Sequence, residues 1–251
     1  MPFALVSVAL VPSVLAAADF GSPLFWAAFI GWVLSVVLHE FAHGAVAYWG
    51  GDYTIRERGG LSLNPLQYVD PLNSLILPAV FLALGGVPLP GGVTYVRRDL
   101  IRTRAWQSAM SLAGPAMNGL IFLALAAAVH PKMGWVDPTA PARDWLPAQR
   151  VVAALAFLNL YGAILNLIPL PPLDGFNAIS PYLDRQTRLK LTMPPANIIS
   201  LVILYVLVTS PGVKRQLYDV TGKAFELIGY DAQAVIRVRA AFAQTLFGQV
   251  P

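Results

Sequence analysis

The chain has 251 residues, 57% of them hydrophobic and only 12% charged, where soluble domains carry about 25% charged residues. That balance excludes an ordinary soluble domain and points to a polytopic membrane protein. The net charge of +4 comes without a basic face or an interleaved aromatic motif, so it does not mark a nucleic-acid binder. The absence of cysteine removes thiolate metal sites, disulfides and cysteine nucleophiles, and the histidines are His39, His43 and His130.

Residues 3–18 are apolar without a basic n-region. A retained membrane helix is expected there, although Ala16-Ala17-Ala18 imitates a leader-cleavage site. Asp19 to Pro23 reads as a turn, and Pro23 suits the first turn of a helix running to about Trp49. Trp26, Trp32, Tyr48 and Trp49 include candidate interfacial anchors. In the polar stretch 50–71, Gly50-Gly51 stops that helix, a short strand or hairpin is expected around Gly59-Gly60, and Asn64-Pro65 turns the chain. Residues 72–90 are apolar but interrupted by Pro78, Gly85-Gly86, Pro88 and Pro90. Residues 91–105 carry Arg97, Arg98, Asp99, Arg102 and Arg104.

A clean apolar span follows from about Trp106 to Val129. It leads into a Pro-rich loop over 130–149, with His130 as a loop histidine. The next span starts near Arg150 and ends in Asn166-Leu167-Ile168-Pro169-Leu170-Pro171-Pro172-Leu173-Asp174-Gly175. Residues 176–193 are polar, and a last span runs from about Pro195 to Val208. The tail from Pro211 mixes charges with apolar residues at helical spacing over 223–247, for the membrane surface or for packing on the bundle. With no internal repeat, the expectation is one all-α membrane domain over 1–251. Its core covers about 24–180, and a C-terminal helix and tail cover 194–251.

Inside the first long span lies His39-Glu40-Phe41-Ala42-His43, the pattern H-E-x-x-H. Residues four apart sit one turn along a helix, so both imidazoles can reach one ion, and Glu40 can reach a water beside it. Two His ligands and a Glu base are the zinc-hydrolase arrangement. Ionisable groups in a membrane span are costly and mark function. With no third histidine in reach, Asp174 is expected to complete the ligand set for one Zn2+. The prolines before Asp174 break the helix and let its carboxylate turn into the bundle.

For His43 and Asp174 to share an ion, an even number of crossings must separate them. The spans at 106–129 and 150–172 supply two, so 72–90 is expected to enter and leave on one side as a re-entrant or β-like segment. Lys and Arg are split almost evenly between the two sides, so the positive-inside rule does not orient the chain. His39 and Asn118 come at similar depths, about 15 and 18 Å along their helices. Asn118 either faces the metal or makes an interhelical hydrogen bond. Asn166 either binds substrate backbone, orients a ligand or packs helices. Gly114-Pro115 either allows close helix approach or opens a path for water and substrate.

His39-Glu40-Phe41-Ala42-His43, the run SLAGPAMN at 111–118 and NLIPLPPLDG at 166–175 together resemble the site-2 protease family of intramembrane zinc metalloproteases. The stretch 59–78 is similar to its compact bacterial branch. The resemblance implies a three-helix core with zinc inside the membrane, nearer the cytoplasmic face. His39, His43 and Asp174 would be ligands, Glu40 the base, and Asn118 and Asn166 holders of the substrate chain. Many relatives carry a PDZ or CBS domain, for which this chain has no room, and residues 91–105 diverge from the branch. The implied activity is hydrolysis of peptide bonds in single-span membrane proteins within or near the bilayer, as in regulated intramembrane proteolysis. The expected location is a bacterial inner membrane. The rivals are a catalytically silent protease-like scaffold, for which an intact Glu40 has no use, and a transporter using the polar residues as an ion path. Substrate, trigger and oligomeric state are not specified by the sequence.

Overall fold

Residues 19–70 and 92–248 are described by a computed structural model. The expected helix over 3–18 and the expected re-entrant segment over 72–90 lie outside the described residues. Eight α-helices are described: α1 Pro23–Gly50, α2 Arg104–Ala128, α3 Pro147–Asn166, α4 Asp174–Ile179, α5 Arg185–Thr192, α6 Ala196–Thr209, α7 Pro211–Leu227 and α8 Ala232–Phe247. The helices α1, α2 and α3 are each long and apolar enough to cross a membrane. The α6 and α7 helices meet at a 64° bend and together are long and apolar enough for one broken span or a re-entrant loop.

The ends of α1 follow from its sequence. The Ser22 hydroxyl accepts from the Leu24 amide and Pro23 fills the first position. At the other end Gly51 takes φ +122°, a conformation open to glycine, and its amide closes on the Ala47 and Tyr48 carbonyls. Ala28, Trp32, Ser35, His39 and His43 recur every three or four residues as the buried face. Ile30 and Leu34 point outward and suit lipid.

Small residues bring the three spans together. Gly31 lies against Leu155 and Gly162 against Trp32 and Asn118, while the Asn159 amide donates to Ser35 Oγ at 3.1 Å. Because Gly31 meets Leu155 and Ser35 meets Asn159, one turn later on each helix, α1 and α3 run parallel. The α2 helix runs the other way: its first turn meets the end of α1, where the Arg102 amide donates to the Gly50 carbonyl at 2.9 Å. The central α3 is buried on nearly every side, among Ala153, Ala156, Phe157 and Leu160.

The C-terminal helices close on the bundle end away from Gly50. Tyr230 Oη donates to the Ala126 carbonyl, the Asp19 amide donates to Leu246 O, and the Phe242 ring packs tilted against Phe157. The tail therefore packs on the bundle, through Val235, Val238, Ala241 and Phe242. Gly229, at φ +93°, divides what reads in the sequence as one amphipathic run into α7 and α8.

The hairpin expected around Gly59-Gly60 is not formed. A 3-10 turn over Tyr53–Ile55 and a series of turns stand there instead, and no strand occurs among the described residues. Two local forces explain the correction. Thr54 and Arg58 fold back onto the buried Asp52 carboxylate, and the Gly60 carbonyl presses so closely on Gly44 that a Cβ there would collide with it.

Candidate metal centre

Two of the site's elements are a helix and its antiparallel neighbour, and the third is a helix start. His39, Glu40 and His43 project from α1 and are all buried, at 8%, 6% and 8% exposure. Asp174 is the first residue of α4. The chain leaves α3 at Asn166, runs through the turns of 167–173, and restarts as a helix at Asp174. Gly175 makes the restart possible, because a Cβ there would strike the Leu167 carbonyl. The α4 helix is then tied to α2, with Ser108 Oγ donating to Ala178 O at 2.6 Å.

His39, His43 and Asp174 converge, with one ligand atom from each all within 4.8 Å of one another. The two Nε2 atoms stand 3.1 Å apart. Asp174 Oδ2 is 3.2 Å from His39 Nε2, and its Oδ1 is 3.4 Å from His43 Nε2. Zinc–ligand bonds of about 2.0–2.1 Å in a tetrahedron put ligand atoms about 3.3 Å apart, so these separations fit that ion. The backs of the rings agree. His43 Nδ1 meets the Met110 carbonyl at 2.6 Å, which can only accept, so this nitrogen carries the proton. His39 Nδ1 donates to Asn118 Oδ1 at 3.0 Å. Both Nε2 lone pairs are thus turned toward each other and toward a carboxylate, an arrangement a cation resolves. Gly114 completes the floor, since a Cβ on it would overlap the Nε2 atoms of both histidines.

Glu40 lies beside this cluster under an extended strap over 92–97. The Thr94 hydroxyl is 2.7 Å from Glu40 Oε2, and Gly92 lies so close to Glu40 Cγ that a Cβ would stand 2.7 Å from it. Tyr68 is also near. Burial first, and then the Glu40 charge, push its phenol up to about 12, and it donates to Ser62 O. The flanks of the segment outside the described residues meet here: Val93 N donates to Tyr68 O at 3.0 Å and Tyr95 Oη to Asp70 at 2.7 Å.

Asn118 is at the centre, buried at 3% exposure, and it makes the interhelical hydrogen bond and touches a candidate ligand at once. Asn166 is half-buried at the end of α3 and makes no side-chain hydrogen bond among the described residues. His130 stays apart, capping a 3-10 turn and meeting Tyr230 edge to face. Thr94 and the Met110 carbonyl carry no signal in the sequence. A threonine in a divergent loop and a main-chain oxygen acquire their roles only from the fold.

No protein-family profile and no solved structure matches the chain. Among curated proteins, it is 35% identical over 209 residues to "Putative zinc metalloprotease Rip2" of Mycolicibacterium smegmatis, covering 82% of this chain and 75% of that protein. It is 40% identical over 199 residues to the Mycobacterium tuberculosis protein of the same name, covering 79% and 73%. It is 31% identical over 186 residues to "Putative zinc metalloprotease YwhC" of Bacillus subtilis, covering 71% and 78%. With three helices able to span a membrane and bacterial relatives along most of its length, this is a multi-pass bacterial membrane protein. The chain belongs to the site-2-protease-like family that contains Rip2 and YwhC.

Proposed function

We propose that the protein is an intramembrane zinc endopeptidase of the compact branch of this family. It would act on single-span membrane proteins within or near the bilayer of the bacterial inner membrane. The observation that carries the reading is the convergence of His39, His43 and Asp174, with Glu40 one residue along a membrane helix and likewise buried.

His39 and His43 through Nε2, and Asp174 through its carboxylate, would hold one Zn2+ per chain. When bound, the ion supplies Lewis-acid chemistry, lowering the pKa of a water to about 7 and polarising the scissile carbonyl. Glu40 takes a proton from the attacking water and passes it to the nitrogen of the breaking C–N bond, so the products are one carboxylate and one amine. Asn118 fixes the ring of His39 through Nδ1. The half-buried Asn166, whose amide has both a donor and an acceptor to offer, suits the backbone of an unwound substrate.

The test is a paired measurement on purified protein in lipid. Wild type should carry about one zinc per chain and cut a single-span substrate drawn from a panel of co-expressed membrane proteins. Glu40→Gln should keep the zinc and lose cleavage by at least about a hundredfold. Cleavage retained by Glu40→Gln removes the general-base assignment. Zinc binding without cleavage in wild type, across the whole panel, favours a scaffold.

A further inference from the structure

The Glu40 carboxylate is held unevenly. Its Oε2 accepts from Thr94 Oγ1 at 2.7 Å, whereas its Oε1 has no hydrogen-bond partner among the described residues. The same hydroxyl oxygen is 3.1 Å from the Glu40 carbonyl. A hydroxyl has one proton to give, and the charged, nearer carboxylate is the stronger acceptor. Gly92 packs on Glu40 Cγ, so the middle of the side chain is also confined.

Thr94 is itself fixed from both sides by bonds that do not involve Glu40. Before it, Val93 N donates to Tyr68 O at 3.0 Å. After it, the Tyr95 carbonyl accepts from Arg58 Nη1 at 2.5 Å, and Arg97 N donates to Asp52 Oδ2 at 2.8 Å. Asp52, fully buried, is in turn gripped by Arg58 Nη2 at 2.9 and 3.1 Å and by Thr54 at 2.5 Å. The strap is therefore a rigid support carrying a single polar side chain to Glu40.

We propose that Thr94 is a positioning residue that pins Oε2 of Glu40 and so leaves Oε1 as the oxygen that works on the water. This rests on the reading of Glu40 as the base. A carboxylate free to swing about its side-chain torsions presents either oxygen at many angles, and misplacement of a reacting group by about 1 Å costs up to about a hundredfold in rate. Thr94 lies outside the His39, His43 and Asp174 cluster and its hydroxyl is directed at Glu40, so on this proposal its removal acts on kcat.

The experiment compares full-length wild type, Thr94→Val and Thr94→Ser in lipid. It measures zinc per chain, kcat and KM on a single-span substrate that wild type cuts, and the carboxylate stretching bands of Glu40, read as the infrared difference from the matching Glu40→Gln protein. Valine keeps the shape and removes the hydroxyl; serine keeps the hydroxyl. Expected for Thr94→Val are unchanged zinc, unchanged KM, a kcat lower by about ten- to a hundredfold, and shifted Glu40 carboxylate bands. Thr94→Ser should restore both kcat and the bands. A Thr94→Val protein with wild-type kcat, or with kcat lost through loss of zinc, overturns the proposal while the peptidase reading stands. If wild type cuts nothing, the peptidase reading fails separately. In that case unshifted bands in Thr94→Val refute the contact itself, and a shift rescued by serine upholds it.

Discussion

The side-chain oxygen of Asn118 lies 3.0 Å from Nδ1 of His39, joining α2 to the back of a candidate metal-ligand ring on α1. Partners behind a ligating histidine fix its tautomer and orientation, and their loss costs about 10–100-fold in metal affinity. Asn118→Leu should therefore weaken zinc binding by about that factor, while Asn118→Asp, which still accepts from Nδ1, should keep most of it. Competition with a calibrated zinc chelator measures both.

Gly114 gives a sharper steric prediction. A methyl group there would overlap the Nε2 atoms of His39 and His43, and helix backbone cannot easily retreat. Gly114→Ala should abolish stoichiometric zinc binding while leaving a folded protein. Gly119, in the same helix, has nothing within 4 Å of a Cβ position. Gly119→Ala should keep full zinc and, by helix propensity, gain up to about 1 kcal/mol. Zinc content and thermal unfolding of the pair separate a local clash from a general intolerance of alanine in α2.

The His39, His43 and Asp174 cluster was legible in the sequence because it depends on spacing that the helix enforces, and because no third histidine competes with Asp174. The three long spans were equally legible, as their apolar runs reach the length a bilayer requires. What could not be read lies in segments stabilised by particular contacts. The region around Gly59-Gly60 has turn residues that serve a hairpin as well as the folded turns, and the choice is made by Asp52 and by the contact with Gly44. The third span was expected to run to 172 but stops at Asn166, six residues short, since the prolines that follow cannot continue it. Asn118 held two open roles until its distance from His39 was known.

Asp52 leads to a stability prediction. It is fully buried, and its charge is balanced by Arg58, whose side chain is 36% exposed. Removing one partner of a buried pair costs about 3–5 kcal/mol, and the exposure of Arg58 puts this case at the low end. Asp52→Ala should lower stability by about 3 kcal/mol and loosen the 92–97 strap, while zinc remains bound, because none of the ligands touches it. Denaturation in detergent with a parallel zinc assay checks this.

Metal removal should act selectively. Without a cation, two imidazole lone pairs and a carboxylate are left facing a shared space. Treatment with a strong zinc chelator should raise amide exchange over 167–179, where Asp174 enters a short helix, far more than over the long interior of α3. Equal change in both would mean that the ion supports the whole bundle.

The candidate ligands come from two stretches far apart in the chain, a pair from α1 and one from the start of α4. An ion bound there is a staple as well as a reagent, closing a long loop of chain much as a cross-link would. The protein can therefore be treated as two pieces, cut within the exposed stretch around Lys132 and Met133. The two pieces, expressed separately, should hold together in the membrane more firmly with zinc than without it, making assembly a report on the site that needs no substrate at all.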